Sequence, residues 1–416
     1  MKRLVIIGNG VAAAGCVEGI RSVDAESEIV VVSAERWPVY CRPLISYYLE
    51  GLTPLENMGY RPESFYEKNN CKVLYGRKVV SLDSAKKELR LDDDSTLKYD
   101  AVCVATGSCP FVPPMQGLET VKSKFSFMTL DDALALEQNI GPESRVLIVG
   151  AGLIGLKCAE GICDRVKSVA VCDLAPRVLS SVLDDVGAAM MRRHLEAHGL
   201  TFYLGDSAAA FEGNVAIMKS GARIEFDTLV LAVGVRPNIS LVRDNGGACG
   251  RAIQVDVQMK TSLPDVYAAG DCTESFDVSS GTVKIMALLP SAFMQGKCAG
   301  ANMAGGNVVL KDGMPMNSIG FWGFHAITAG TRYEEQDGGE VYIETTDNSM
   351  KKLYVKDGRL TGFILLGNVE RAGIYTAMIR NQTPIDSLDF EEMKRSPSLY
   401  PFGAERRGEM LGRLAK

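Results

Sequence analysis

The chain has 416 residues, a length that accommodates two or three domains with ordinary cores. Lys plus Arg number 45 against 51 Asp plus Glu, a formal charge of −6, which argues against the broad basic surface that nucleic acid or an anionic membrane requires. Gly reaches 42, an excess expected where backbone must approach a ligand closely. Met1-Lys2-Arg3 runs straight into Leu4-Val-Ile-Ile, and Asn9 and Gly10 break that apolar run before any small-residue cleavage site. No signal peptide is therefore expected, no stretch approaches the roughly 18 apolar residues of a membrane span, and the protein is expected to be cytoplasmic.

Residues 4 to 15 give a short apolar run, long enough for one buried parallel strand, then a turn Gly8-Asn-Gly10-Val-Ala-Ala13 and a helical pattern. A second apolar strand, Ile29 to Ser33, leads to Glu35, 27 residues after Gly8. Tyr99 to Gly107 is a further apolar strand, ending in Thr106-Gly107, and Pro110, Pro113, Pro114 and Gly117 suggest a boundary. The opening motif then recurs: Val146 to Val149, Gly150-Ala-Gly152-Leu-Ile154-Gly155, and a strand Val169 to Cys172 leading to Asp173, 23 residues after Gly150. Phe226 to Gly234 closes this second unit before Arg236-Pro237-Asn238. Such a pair is the dinucleotide fingerprint in two copies: the first glycine turns, the second lets backbone reach a pyrophosphate, the third packs helix on strand, and the acid takes a ribose hydroxyl. Ala13 is a tolerated variant at the third position. The second unit reads as an insertion in the first, which resumes at about 236. From about 309 short antiparallel strands are expected at Val341–Thr345, Lys352–Val355 and Gly362–Leu366, with a turn at Lys356-Asp357-Gly358 and a helix from Glu370 to Asn381. The last 25 residues, with Pro397, Pro401, Gly403, Gly408 and Gly412, read as an extended tail.

These landmarks resemble the two-dinucleotide-binding-domain flavoproteins of the pyridine nucleotide–disulfide oxidoreductase superfamily, over residues 1 to roughly 385. The most diagnostic piece is Thr261-Ser-Leu-Pro-Asp-Val-Tyr-Ala-Ala-Gly270-Asp271, similar to the family's second flavin motif, followed by the helix pattern Ser291 to Asn302. The resemblance implies an α/β protein with two Rossmann-like three-layer domains: an FAD domain (1–108 and 236–308), an inserted NAD domain (109–235), a small C-terminal α+β domain (309–390) and the tail (391–416). It implies FAD contacts at Gly8, Gly10, Ala13, Glu35, Arg42, Pro43, Thr106, Gly107, Gly270 and Asp271, and NAD contacts at Gly150, Gly152, Ile154, Gly155, Asp173 and Gly234. FAD is expected to be tight and non-covalent. The Asp173 carboxylate would repel a 2′-phosphate and Leu174 and Ala175 offer no cation, so NADH is expected over NADPH. The helix beginning near Pro290 would aim its positive end at the flavin.

Tyr40-Cys-Arg42-Pro43-Leu-Ile-Ser46 resembles the corresponding stretch of NADH:rubredoxin and ferredoxin reductases and of the flavin portion of nitrite reductase. That implies hydride transfer from NADH to FAD, then electrons on to an iron–sulfur or rubredoxin-type protein or subunit, with Arg42 on the flavin's ADP phosphates, which a planar fork suits. A homodimer is compatible with this reading. Ferredoxin reductases of this type carry a Lys after the motif's Ser and a Glu two residues after the third glycine; here those positions hold Tyr47 and Lys157. Lys157 would supply charge near the nicotinamide, pair with Glu160, or stand in solvent; both residues are catalytic candidates.

Eleven cysteines are scattered without a C-x-x-C, and three His accompany them, so neither a disulfide framework nor a metal site is suggested. Cys158 and Cys163 lie five apart on one helix and read as core packing. Two alternatives stay open: an NADH oxidase, peroxidase or CoA-disulfide reductase using Cys41, and an NADH-sensing flavoprotein with little turnover. The C-terminal region is expected to serve a partner, through exposed aromatics Phe321, Trp322, Phe324, Tyr400 and Phe402 and a tail including Arg406, Arg407 and Arg413.

Overall fold

The structure, a computed structural model, describes residues 1–403 and 407–408. Two all-parallel five-stranded sheets carry the fingerprints. The first has the order Val266–Ala268, Ala101–Val104, Arg3–Ile7, Glu28–Ser33, Cys71–Tyr75. The second has the order Leu200–Leu204, Ser168–Asp173, Arg145–Val149, Thr228–Leu231, Lys124–Phe125. The chain leaves the first sheet after Val104, completes the second, and returns at Val266, which pairs with Val102. An antiparallel pair, Ser108–Pro110 with Val235–Pro237, carries both crossings side by side. The central strands are buried on both faces, which is why they read as unbroken Val, Ile and Leu rather than as alternation. Each parallel sheet also carries a three-stranded antiparallel excursion, Val79–Lys98 and Ala208–Glu225.

Helices Val11–Arg21 and Leu289–Met303 cross unusually closely. A Cβ at Gly15 or Gly19 would lie 2.4 or 2.1 Å from a carbonyl of the facing helix, and one at Gly296 or Gly300 would lie 1.9 or 2.0 Å from its opposite number. Two G-x-x-x-G pairs therefore press backbone on backbone, and this fixes the N-termini of both helices relative to each other.

The third sheet is antiparallel, in the order Met316–Phe321, Phe324–Gly330, Arg359–Leu366, Met350–Lys356, Glu340–Thr345. One of its two-residue turns is Asp357-Gly358, with φ of 51° and 67°, the two left-handed residues a type I′ hairpin requires. One face, with Phe321, Ala326, Met350, Tyr354, Ile364 and Leu366, shares a core with Val178, Leu183 and Met191 of the second nucleotide unit. The other face, with Leu353, Val355, Phe363 and Leu365, packs on helix Ala372–Arg380.

Over residues 391–403 the expectation of an extended tail is corrected. Phe390–Arg395 is a helix, capped by Asp389, whose side chain accepts from the Glu392 N–H. Phe390, Met393 and Phe402 are buried in the core of the third sheet's outer face, so their apolar anchoring prevails over the Pro and Gly around them. Phe321 and Phe402 are likewise not exposed, and Trp322 and Phe324 are partly covered; of the five aromatics only Tyr400 stands free, 79% exposed. Arg407 donates to the Tyr400 carbonyl, while Arg406 and Arg413 lie outside the described residues.

Candidate cofactor and electron-transfer site

The two fingerprint turns fold alike. Gly8 has φ +111°, and a Cβ there would sit 2.2 Å from the Ala105 carbonyl; Gly150 has φ +120°, with Ala232 at the same distance. These two serve the turn itself. Gly10 and Gly152 are different: each is the N-cap of its helix, in extended backbone, with no side-chain cap and open space where a Cβ would stand. Uncapped N–H groups and the positive end of the helix dipole make such a position an anion site. At the third position a Cβ on Gly155 would meet the Gly150 carbonyl at 2.0 Å, whereas Ala13 is accommodated in the core.

At the first turn Glu35 accepts from the Tyr40 hydroxyl at 2.7 Å and pairs with Arg42. Arg42 also donates to the Met128 carbonyl at 2.9 Å and lies 5.4 Å from the centre of the Tyr40 ring. Pro43 caps helix Leu44–Leu49. Burial pushes the Asp271 carboxyl above its ordinary value, and the Arg42 charge opposes that shift. The Gly270 N–H donates to Gln295 Oε1 at 2.7 Å; Gln295 is fully buried and also bonds Thr273 and Ser275. Gln295 thereby ties the Gly270-Asp271 loop to helix Leu289–Met303. In the sequence it is one of two amides, with Asn302, on an otherwise small and apolar helix face. Thr106 and Gly107 are braced by Asn238, whose side chain donates to the Thr106 carbonyl at 2.8 Å and whose N–H donates to that of Gly107. Beside Asp271 lies a cavity of about 550 Å³, lined by Ser108, Val235, Pro237 and Ile285 among others, with Lys284 and Arg251 at its wall. The Ser108 hydroxyl oxygen is buried beside Asp271, whose carboxyl it helps to hold down against the effect of burial.

At the second turn Asp173 accepts from the Ala151 N–H at 2.7 Å on one oxygen and from Ala175 at 2.8 Å on the other. A carboxylate has about four acceptor positions, so two remain open on Asp173. Leu174 beside it is 63% exposed. Ile154 sits in the first turn of helix Leu153–Ile162, and Gly234, at φ +124°, leaves open backbone opposite.

Lys157 neither stands in solvent nor points a free ammonium outward. Its Nζ donates to Glu160 at 2.5 Å and to the Gly320 carbonyl at 2.6 Å, and lies 5.0 Å from the Tyr47 ring centre and 4.9 Å from that of Phe321. The other Glu160 oxygen accepts from the Trp322 N–H at 2.9 Å.

The thiols are dispersed. Burial raises the Cys41 thiol, and the neighbouring Arg42 is engaged by Glu35 rather than by sulfur. Cys158 is fully buried, while Cys163 donates to the His198 carbonyl. Every cysteine is free. Among the described residues no helix is long and apolar enough to cross a membrane, and no group of His, Cys, Asp and Glu is placed to hold a metal.

Compared with known proteins, residues 2–296 match the family model described as pyridine nucleotide-disulphide oxidoreductase. The chain is 30% identical over 398 residues to the NADH-dependent phenylglyoxylate dehydrogenase subunit epsilon of Aromatoleum evansii, covering 93% of each. It is 27% identical over 308 residues to the rubredoxin-NAD(+) reductase of Pseudomonas putida, covering 73% of this chain and 80% of that one. Among solved structures, a covalent putidaredoxin reductase–putidaredoxin complex superposes with a TM-score of 0.85 at 21% identity, covering 92% and 94% of the two chains, a likeness of fold.

Proposed function

The chain belongs to the pyridine nucleotide-disulphide oxidoreductase family and is an NADH oxidoreductase; on that premise we propose that it takes hydride from NADH onto a tightly held FAD and delivers the electrons to a separate iron–sulfur or rubredoxin-type protein or subunit. The observation that carries this reading is the pair of uncapped helix N-termini at Gly10 and Gly152, on two sheets joined by two adjacent crossing strands, with an Asp271-lined cavity between those strands and the antiparallel pair Thr273–Asp277 and Thr282–Ile285.

The residues fit FAD. The open space over Gly10 suits a pyrophosphate, Ser108 and the buried Asp271 offer polar groups to the cavity, and Glu35 suits the adenosine ribose. Bound FAD supplies a two-electron acceptor able to release electrons singly or in pairs. Gly8, Ala13, Thr106, Gly107 and Gly270 shape that site, Arg42 and Pro43 close its ADP end, and Gln295 holds Asp271 in place. Gly150, Gly152, Ile154, Gly155 and Gly234 shape the NAD site, where Asp173 favours NADH over NADPH. The corresponding domain division is 1–108 with 236–308 for FAD, 109–235 for NAD, and 309–390 for the third unit. The protein's work is positioning: two rings held about 3–3.5 Å apart with water excluded.

The dispersed thiols favour a one-way exit of electrons from the chain over the Cys41 chemistry of the alternative reading, since a reactive thiolate needs a lowered pKa and the Cys41 thiol is raised. The match to an epsilon subunit across nearly the whole of both chains favours work within a larger oxidoreductase. The test is to purify the protein with whatever accompanies it and assay flavin, iron and NADH-driven reduction of the accompanying iron–sulfur protein. One FAD per chain and NADH-dependent reduction of that protein is the expected result. Reduction of peroxide or oxygen that is rapid and lost in Cys41→Ser would displace it in favour of the thiol reading.

A further inference from the structure

Lys157 lies where the three units of the molecule meet. It belongs to helix Leu153–Ile162, whose N-terminus opens the second nucleotide turn. That helix crosses Leu44–Leu49, the helix following Arg42-Pro43 of the first site, closely enough that a Cβ on Gly161 would lie 2.7 Å from the Ser46 carbonyl. From this crossing the Lys157 ammonium reaches the Tyr47 ring of the first unit, Glu160 of its own helix, and the Gly320 carbonyl and Phe321 ring of the third. Its donors are directed at protein groups, so it is not placed as a proton donor to a substrate.

Glu160 completes the arrangement. Its side chain is only 6% exposed, and a carboxylate so buried requires partners for both oxygens; it finds Lys157 on one and the Trp322 N–H on the other. Trp322 and Gly323 form the two-residue turn between the paired Phe321 and Phe324, with φ of 42° and 81°. A bulky side chain at positive φ is strained and persists only where its surroundings over-determine it. Here they do: the Trp322 ring stacks on His198 at 4.7 Å and 8°, and His194 Nε2 bonds the Phe321 carbonyl at 2.9 Å. A second clasp holds the same two units, Lys352 with Asp184 at 3.2 Å, with Glu334 of its own unit also at 3.4 Å from Lys352.

We infer that Lys157 and Glu160 form a positioning device: they clamp the hairpin at Phe321–Phe324 and the Tyr47 ring onto the nicotinamide-side helix, fixing the wall against which NADH is held during hydride transfer. This rests on the NADH-to-FAD reading above and adds a role for the third unit that does not involve an external partner.

The experiment compares the full-length holoprotein with Lys157→Arg and with the double variant Lys157→Met/Glu160→Gln, which leaves no unpaired buried charge. Three readouts are taken: hydrogen exchange at Trp322 and Gly323 without NADH, the dissociation constant for NADH, and the limiting rate of flavin reduction in single-turnover mixing. The double variant is expected to exchange faster at the turn and to reduce its flavin about 10²-fold more slowly, the scale of a misplacement near 1 Å. Its NADH affinity and FAD content stay close to wild type, and Lys157→Arg recovers most of the rate. An unchanged reduction rate overturns the inference, as does a parallel loss of rate, affinity and FAD, which marks a purely structural pair. Wild-type flavin that NADH does not bleach overturns the functional reading instead; the exchange difference at Trp322 distinguishes the two failures, since it needs no NADH.

Discussion

Gly150 and Gly152 stand two residues apart in one turn, yet their substitutions by alanine are expected to fail in opposite ways. Gly150 has φ +120°, and a Cβ there would meet the Ala232 carbonyl oxygen at 2.2 Å and its carbon at 2.6 Å. The backbone strain alone costs about 1–3 kcal/mol, before the clash is counted, so Gly150→Ala should lower Tm by several degrees. Gly152 has φ −84° and ψ −174°, which alanine adopts freely, and nothing lies within 4 Å of its Cβ position. Its alanine variant should be as stable as wild type, or more stable by about 0.4–1 kcal/mol through the reduced freedom of the unfolded chain. The added methyl, however, occupies the space assigned to the NADH pyrophosphate. Losing one hydrogen bond to a charged group there costs about 1.5–3 kcal/mol, or roughly 10–150-fold in Kd. The assay pairs thermal unfolding with NADH titration of each variant. If Gly152→Ala binds NADH as wild type does, the second turn is not the pyrophosphate cradle and the argument from open space is wrong.

Gly10→Ala should behave like Gly152→Ala but lose FAD rather than NADH, which flavin content after purification will show. Asp271→Ala is expected to lose flavin as well, and full occupancy in that variant would detach the second motif from the cofactor. Wild type should prefer NADH over NADPH by roughly 10² or more in kcat/KM, and Asp173→Ala should narrow that ratio; equal use of both by wild type would show that Asp173 does not reach the ribose. Dithionite titration should consume two electrons per FAD, and uptake of four would restore a redox role to Cys41 or to the Cys158 and Cys163 pair.

The parallel strands and both glycine turns are legible because their signals are local: an unbroken apolar run, a turn that only glycine can make, and an acid 27 or 23 residues after the first glycine. Two features depended on pairings between distant segments. Gly15, Gly19, Gly296 and Gly300 could be read only as two separate small-residue repeats until the helices were seen to cross. Lys157 had three readings because its partners lie three residues away on the same helix and 163 residues away at Gly320, and only the second separates a clamp from an ordinary helix pair. The tail was misread for a related reason. Its Pro and Gly content suggested extension, while Phe390 and Met393, three apart, and Phe402 found a core that composition does not announce. Phe321 reads as exposed because the sequence does not show that both faces of its sheet are covered, and Phe402 because it does not show the core that receives it.

The central claim is that this chain carries electrons from NADH through a single bound FAD and out to another protein. Anaerobic titration of the purified yellow protein with NADH tests it most directly, followed at the flavin absorbance. One NADH per FAD should bleach the flavin completely, and the bleached protein should be reoxidised by an iron–sulfur or rubredoxin-type protein. A flavin that NADH leaves oxidised, or one that bleaches only after two NADH per FAD, would contradict the account.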